Sequence, residues 1–327
     1  MKQFVNLIIF VFFITSCNNN TQENTAKTEQ TPKIEIKIPE FNGDSALNFV
    51  AKQVAFGPRV PGTKAHENCA AYIVNTLKNY GLQVEVQEGI TKTFDNKQYR
   101  LKNIIASYKP ERQSRIFVSA HWDTRPFADQ DKEKKDKPIE GANDGGSGVG
   151  ILLELARVIS INKPTTGIDL IFWDIEDYGQ PADSKFPDME DSYCLGSQYW
   201  AKNLSVSYAP KFGINLDMVG AKDAKFYKEA NSIYFAASTV EKVWSAAANL
   251  GYGNRFINEN TGSIIDDHYY VNQIAKIPCI DIIERDPTTN SNFYKHWHTH
   301  QDNLSNIDAT TLKIVGQTVT KVLFEEK

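Results

Sequence analysis

Acidic and imidazole side chains stand at several points of this 327-residue chain where a buried apolar run ends or a turn begins. The positions are His121, Asp144, Glu176, Asp177, Asp217 and His298. Carboxylates repel one another when they are brought together away from water, so such a cluster normally needs a cation. Carboxylate oxygens and imidazole nitrogens without clustered thiolates suit catalytic zinc, which polarises carbonyl groups as a Lewis acid. The residue types therefore predict a metal-dependent active site.

The adjacent acids Glu176 and Asp177 are expected to have different roles. Neighbouring residues of an extended segment point to opposite sides, so only one of the two readily meets the metal. The other can carry protons beside it. Asp123 is the expected outer partner that orients His121, because imidazole ligands of metals usually have one. Asp266 stands in a loop before the next helix and has two readings, as a member of the site or as a helix N-cap.

Alternating strands and helices must position these groups. Strands are predicted at 83–87, 103–108, 115–120, 168–173, 212–216 and 279–283, and helices at 45–55, 65–80, 147–161, 196–202, 240–250 and 308–324. This alternation indicates a largely parallel sheet with helices on both faces. Ligand sites of such sheets lie beyond the carboxyl ends of the strands. We predict an α/β fold, a single-domain three-layer sandwich with a central, mostly parallel mixed sheet.

Two inserts interrupt the alternation, at residues 129–138 and 180–191. The first is densely charged and the second is rich in turn residues. Both are expected to be solvated surface loops, with a role as a lid or rim of the site as the alternative.

The amino-terminal segment has the pattern of an export signal, with Lys2, an apolar run over 4–14 and Cys17. The four residues that end at Cys17 resemble a bacterial lipoprotein box, whereas a plain signal peptide is the alternative. We predict a signal peptide over 1–17 with Cys17 as lipidation site, a flexible tether over 18–42 and a catalytic domain over 43–327. An exported lipoprotein, anchored to the cell membrane or outer membrane and facing the periplasm or the surface, follows from this pattern.

Bulk composition excludes other classes. The net charge of −4 is not that of a nucleic-acid-binding protein, which normally needs a clustered basic face. Three cysteines remain after Cys17, namely Cys69, Cys194 and Cys279. An odd number cannot all pair internally, so no disulfide scaffold is expected, and the thiols are interpreted as three small buried side chains or as one bridge with one thiol left over.

Six short motifs, in this order, resemble the zinc-dependent M28 group of metallopeptidase-like enzymes. They are His121-Trp122-Asp123, Gly141-Ala142-Asn143-Asp144, Asp174-Ile175-Glu176-Asp177, Asn215-Leu216-Asp217, Asp266-Asp267-His268 and Trp297-His298-Thr299. Within the group, the chain looks most like the glutaminyl-peptide cyclotransferases of animal type and their bacterial lipoprotein relatives. The resemblance extends from about residue 45 to the carboxyl terminus.

The resemblance implies roles for individual residues. The implied zinc ligands are Asp144, Asp177 and His298. Glu176 matches the general acid/base, and Asp217 and Asp266 match catalytic carboxylates of its hydrogen-bond network. Trp297 matches an aromatic wall of the substrate pocket. The implied reaction closes the amino-terminal Gln of a peptide or protein into pyroglutamate and releases ammonia.

Three departures from the animal enzymes stand out. Asp177 replaces a glutamate and is shorter by one methylene, about 1.5 Å. Asp281 replaces a histidine, which changes the proton network. No counterpart of a second pocket tryptophan follows the Glu-Asp pair, so Trp122 or Trp200 is the expected substitute.

An M28-type di-zinc aminopeptidase, which would release amino-terminal amino acids, is the alternative on the same scaffold. Its second zinc would use His121 and Asp217 as further ligands, so the cyclase reading predicts one zinc per chain and the peptidase reading two. A non-catalytic peptide-binding domain is a third reading, but binding alone does not need Glu176.

Overall fold

The computed structural model describes residues 37–327, together with residue 9 and residues 11–13. The lipidation site predicted at Cys17 and tether residues 18–36 lie outside the described residues, as does most of the predicted signal peptide. Among the described residues, no helix is both long and apolar enough to cross a membrane.

A six-stranded sheet forms the centre of the fold. The strands of the chain are β1 (Gln83–Lys92), β2 (Gln98–Tyr108), β3 (Arg115–His121), β4 (Gly167–Trp173), β5 (Gly213–Asp217), β6 (Phe226–Lys228), β7 (Phe256–Asn260) and β8 (Cys279–Ile283). The order across the sheet is β1-β2-β4-β3-β5-β8, and β6 and β7 pair separately. β3, β4, β5 and β8 run parallel, whereas β2 is antiparallel to both of its neighbours. The predicted mixed, mostly parallel sheet is confirmed.

Helices cover both faces of this sheet. They are α1 (Gly43–Val54), α2 (Lys64–Asn79), α3 (Gly146–Asn162), α4 (Leu195–Lys202), α5 (Ala230–Asn249), α6 (Asp267–Tyr270) and α7 (Ala309–Glu325). Alternate side chains of β3 serve the two faces, as a strand requires. Ile116 and Val118 join the larger core with α1, α3 and α7, while Phe117 joins a smaller core with Trp200 of α4. The three-layer sandwich is therefore also confirmed.

The central elements match the predictions within a few residues, and the differences are confined to the periphery. β1 and β2 are longer than predicted, and β6, β7 and α6 were not predicted because they are short. α5 begins at Ala230 rather than at 240. Non-helical backbone at Ala236 (φ −144°, ψ 43°) interrupts the helix ahead of the predicted segment.

The predicted boundary between tether and domain at residue 42 is wrong by a few residues. Phe41 is fully buried, and its backbone N–H donates to Gln317 Oε1 at 2.8 Å. The ring lies on Gly316 of α7, where a Cβ would stand 2.3 Å from Phe41 Cζ. An aromatic side chain in the core cannot belong to a flexible tether, so the folded unit begins before α1.

Candidate metal centre and active site

A cavity of about 470 Å³ opens where β4 and β5 end. Because these strands are parallel, their carboxyl ends meet at one edge of the sheet. Tight turns follow directly, with left-handed backbone at Ile175 (φ 51°) and Met218 (φ 47°), a conformation that is costly for non-glycine residues. Most of the predicted site residues line the cavity: Asp144, Glu176, Asp177, Asp217, Asp266, Trp297 and His298.

Asp144, Asp177 and His298 form a first ligand group. One ligand atom from each lies within 4.8 Å of the other two. His298 Nε2 is 3.1 Å from Asp177 Oδ1 and 3.7 Å from Asp144 Oδ2. All three side chains are buried. The structure thus brings together residues that are far apart in the chain, since Asp177 follows Asp144 by 33 positions and His298 follows Asp177 by 121.

His121, Asp144 and Asp217 form a second ligand group, which shares Asp144 with the first. His121 Nε2 is 3.0 Å from Asp144 Oδ1 and 3.3 Å from Asp217 Oδ1. The close approach depends on Gly145, where a Cβ would lie 2.5 Å from His121 Nε2. A larger residue there would push the Asp144 turn away from the end of β3.

The first group fits a divalent metal on its own chemistry. Asp177 Oδ2 is buried and has no hydrogen-bond partner among the described residues. An unpaired buried carboxylate oxygen is costly unless a cation or donor meets it. Two carboxylates and one imidazole also form a donor set typical of catalytic zinc, with room for a substrate or water as further ligand.

Two buried aspartates hold the backbone of the ligand-bearing turns. Asp302 accepts hydrogen bonds from the backbone N–H groups of Asn143 (2.8 Å) and Asp144 (3.1 Å). Asp123 accepts from the N–H groups of Glu176 (3.0 Å) and Asp177 (3.2 Å). Asp123 Oδ1 also lies 3.6 Å from Nδ1 of the His121 ring, where the sequence places it. Its main contacts, however, fix the acid-bearing turn.

Glu176 belongs to a separate cluster of acids on the other side of the same turn. Its Oε1 is 3.1 Å from Cys194 Sγ, and the thiol in turn is 3.9 Å from Asp266 Oδ1. Asn215 Nδ2 donates to Asp266 Oδ2 at 2.9 Å and lies 3.4 Å from Asp281 Oδ1. The two neighbouring acids of the turn therefore point to different surroundings.

Burial sets the protonation of these acids. Burial, reinforced by the carboxylates of Asp177 and Asp266 and opposed by His121, raises the pKa of Glu176 well above its ordinary value. Burial and the nearby Asp144 carboxylate raise the pKa of Asp217 to about 7. Excess negative charge in the cavity thus favours either bound protons or a bound cation.

Asp266 satisfies both of its predicted readings. It stands in extended conformation at the N-cap position of α6, and its side chain accepts from the first N–H of that helix, Asp267 N. It also lines the cavity and takes part in the acid cluster around Glu176.

The aromatic residues do not all lie where the sequence suggests. Trp297 lines the cavity and stacks on His298, with ring centroids 3.8 Å apart. Trp122 is fully buried and stacks on His66 at 4.2 Å, so it lies in the core and forms no wall of the cavity. Trp200 is buried against Trp173 on the opposite core face. The expectation that Trp122 or Trp200 supplies a second pocket tryptophan is therefore wrong.

Sequence reasoning missed four residues that contact the site: Arg125, Asp129, Cys194 and Asp302. Arg125 and Asp129 differ from ordinary surface charges only by contacts that the fold creates. Asp302 stands four positions after His298, and that spacing was the one available signal. Cys194 carried no signal beyond its residue type, and the structure describes all three cysteines after Cys17 as free and buried.

Comparison with known proteins identifies the family to which this arrangement belongs. Residues 103–323, more than half of the chain, match peptidase family M28. A Zn-dependent exopeptidase from Parabacteroides distasonis is 50% identical with a TM-score of 0.87, over 88% of this chain and 100% of that one. Tannerella forsythia glutaminyl cyclase is also 50% identical, with a TM-score of 0.86 over the same shares of the two chains.

More distant curated relatives carry both activities in their names. Aminopeptidase YwaD of Bacillus subtilis is 27% identical over 88% of this chain, which spans only 58% of that protein. Glutaminyl-peptide cyclotransferase of Drosophila melanogaster is 24% identical over 78% of this chain and 73% of its own length.

A mostly parallel sheet with carboxylates and imidazoles converging beyond its strands defines a metal-dependent α/β enzyme. The chain belongs to peptidase family M28. The resemblance of the sequence to the glutaminyl cyclases of this group is confirmed by the matches to the Tannerella and Drosophila enzymes.

Proposed function

We propose that this chain is a zinc-dependent glutaminyl-peptide cyclotransferase that acts on peptides or proteins with an amino-terminal Gln. The observation that carries the proposal is the placement of Glu176. This buried carboxyl lines the cavity beside both ligand groups but belongs to neither, so it is free to exchange protons. The similarity to glutaminyl cyclases at 50% identity supports the same reaction.

Cyclisation needs one proton to move between two nitrogens. The free amine attacks the carbonyl carbon of its own side-chain amide, a new C–N bond forms, and the original C–N bond breaks to release ammonia. Glu176 accepts a proton from the attacking amine and returns it to the departing nitrogen. The Cys194 thiol, 3.1 Å from Glu176 Oε1, holds this carboxyl at the cavity wall. The indole of Trp297 forms the apolar wall against which the closing ring lies.

Asp144, Asp177 and His298 would hold the zinc. When bound, the ion would polarise the amide carbonyl as a Lewis acid. We propose one ion per chain because the two ligand groups differ in whether their buried polar atoms already have hydrogen-bond partners. His121 Nε2 lies within hydrogen-bond distance of carboxylates of both its partners, whereas Asp177 Oδ2 has no partner within the described residues.

A di-zinc aminopeptidase is the second candidate function. The observation that favours it is the sharing of Asp144 between two complete three-residue groups, an arrangement suited to bridging two ions. The similarity to aminopeptidase YwaD is in keeping with this alternative.

The two functions differ in product and in metal content. The purified protein is incubated with a Gln-initiated peptide and with the same peptide carrying an amino-terminal Leu, with and without a chelator. The cyclase proposal expects ammonia release, a product 17 Da lighter than the Gln peptide, an intact Leu peptide and about one zinc per chain. Free amino acids with about two zincs per chain would support the aminopeptidase instead.

The amino-terminal pattern supports an extracytoplasmic place for this activity. We propose that the chain is exported and anchored through a lipid on Cys17, on the grounds of the lipoprotein-like residues before it. Fractionation of cells that produce the wild-type chain or Cys17→Ala tests the anchor. Loss of the protein from the membrane fraction is expected for Cys17→Ala, and an unchanged distribution would contradict the proposal.

A further inference from the structure

The start of the charged insert, residues 129–131, contacts the strip of chain that bears His298. Gln130 N donates to the backbone oxygen of His298 at 3.3 Å. Asp131 Oδ2 accepts from the backbone N–H of His300 at 2.9 Å and lies 2.8 Å from its Nδ1. We call residues 129–131 the His298 clamp. This part of the insert is neither a free surface loop nor a lid, because it binds the backbone of a ligand residue and of the residue two positions after it.

Asp129 reaches the ligand itself. Its Oδ1 lies 3.2 Å from His298 Nδ1, an ion-pair contact that is not aligned as a hydrogen bond among the described residues, and its side chain is only 13% exposed. Since Nε2 of the same ring faces Asp144 and Asp177, Nδ1 is the nitrogen left to carry the proton. A carboxylate beside that N–H fixes the tautomer and ring orientation and makes the ligating nitrogen more basic.

A buried arginine ties this contact to a second ligand. Arg125 Nε donates to Asp129 Oδ1 at 2.6 Å, and its Nη1 donates to the backbone oxygen of Asp177 at 3.0 Å. The guanidinium is fully buried and neutralises the carboxylate that His298 needs. Asp129 is therefore held by a rigid neighbour, and its distance to the imidazole is determined by packing.

We propose that Asp129 is a positioning residue for the metal site, and that it sets the affinity of the site for zinc through the orientation of His298. Asp131 supports the same geometry from the other side of the turn through His300. The proposal rests on the proposed function only in that it assumes a zinc ion at the first ligand group.

Zinc affinity, rather than turnover, is the direct test. The full chain and its Asp129→Asn variant are equilibrated with zinc and a competing chelator of known affinity, and bound zinc is measured after gel filtration. Loss of the carboxylate is expected to weaken zinc binding by about 10- to 100-fold. The matched control is Asp136→Asn, which changes an acid of the same insert whose side chain is 76% exposed. Zinc binding by Asp136→Asn is expected to equal that of the wild type.

A second variant covers the case in which Asp129→Asn does not fold. Asp131→Asn removes an acid nearer the surface and is expected to weaken zinc binding by several-fold, less than Asp129→Asn. Melting temperatures of the zinc-free forms show whether each variant folds. Ammonia release at saturating zinc should recover to within a few-fold of wild type, because Asp129 does not touch the substrate cavity.

The outcomes distinguish the positioning role of Asp129 from the metal site and from the cyclase function. Unchanged zinc affinity in folded Asp129→Asn and Asp131→Asn overturns the positioning role. Wild-type chain that binds no zinc overturns it as well, together with the proposed metal site. Wild-type chain that binds zinc but releases no ammonia contradicts the cyclase function alone, and the affinity comparison still decides the role of Asp129.

Discussion

Carboxylate side chains have opposite surroundings in the two halves of the cavity. In the half that holds the first ligand group, basic side chains lie beside the carboxylates. Arg125 Nη1 lies 3.4 Å from Asp177 Oδ1, and His121 Nε2 lies 3.0 Å from Asp144 Oδ1. Despite its burial, Asp144 has a pKa lowered by His121, whereas burial and Asp144 raise the pKa of Asp177 against the opposing charges of His298 and Arg125.

In the other half, the carboxylates face each other. Glu176 has a buried thiol and further acids around it, and burial raises the pKa of Glu176 and of Asp281 well above the ordinary values. Crowded acids without a cation favour the neutral form of some members. The contrast teaches that residue type does not decide the role here. Adjacent positions of one turn become a metal ligand and a proton carrier because their neighbours differ.

The largest expected effects distinguish the proton-transfer role of one half from the metal-binding role of the other. Glu176→Gln keeps the shape of the side chain but removes the proton acceptor, so kcat should fall by about 10²- to 10⁴-fold while bound zinc is unchanged. His298→Ala removes a ligand, so both bound zinc and turnover should be lost. Ammonia release and metal analysis measure the two quantities, with the exposed Glu111→Gln as control. Loss of zinc from Glu176→Gln would show that Glu176 also supports metal binding, which would contradict the division of roles between the two halves.

The next effect concerns stability in the metal half. Arg125→Met leaves Asp177 and Asp129 without their buried cation, which should lower the free energy of unfolding by about 3–5 kcal/mol. Urea unfolding of the zinc-free chain measures the loss. Arg112→Met, which changes an exposed arginine, should leave stability within about 0.5 kcal/mol. An Arg125→Met chain as stable as the wild type would show that the carboxylates do not need this cation.

The smallest expected effect concerns the half of the cavity around Glu176. Cys194→Ala removes the thiol that contacts Glu176, and a hydrogen bond worth about 1 kcal/mol implies a several-fold lower kcat with KM little changed. Cys194→Ser keeps a donor and should recover part of that loss. Cys69→Ala removes an equally buried thiol in α2 and should leave kcat unchanged. Equal kcat in the Ala and Ser variants would assign Cys194 to packing alone.

Prediction from the sequence succeeded for the central fold for a local reason. β3 and β4 are mostly apolar runs, interrupted by Ser119 and Asp169, and every residue of both is buried. The amphipathic helices beside them carry regular apolar spacing. β6, β7 and α6 escaped prediction because elements of three to five residues are stabilised by tertiary neighbours rather than by their own pattern.

The predicted residues at strand ends meet around one cavity, whereas side-chain directions could not be predicted from the sequence. His121 and Trp122 are adjacent, yet the imidazole faces the cavity group and the indole faces His66 in the core. Nothing in the residue types assigns these directions. The same limit applies to Asp129, which reads as one acid in a charged surface run until the fold brings it 3.2 Å from His298 Nδ1.

The amino-acid sequence by itself determined the order of strands and helices and the kinds of ligand at the strand ends, because periodicity and turn chemistry are properties of short segments. Only the tertiary structure decided which carboxylates face a donor and which face another acid. That outcome depends on contacts between residues far apart in the chain, and those contacts turn one run of acids into a metal site and a proton relay.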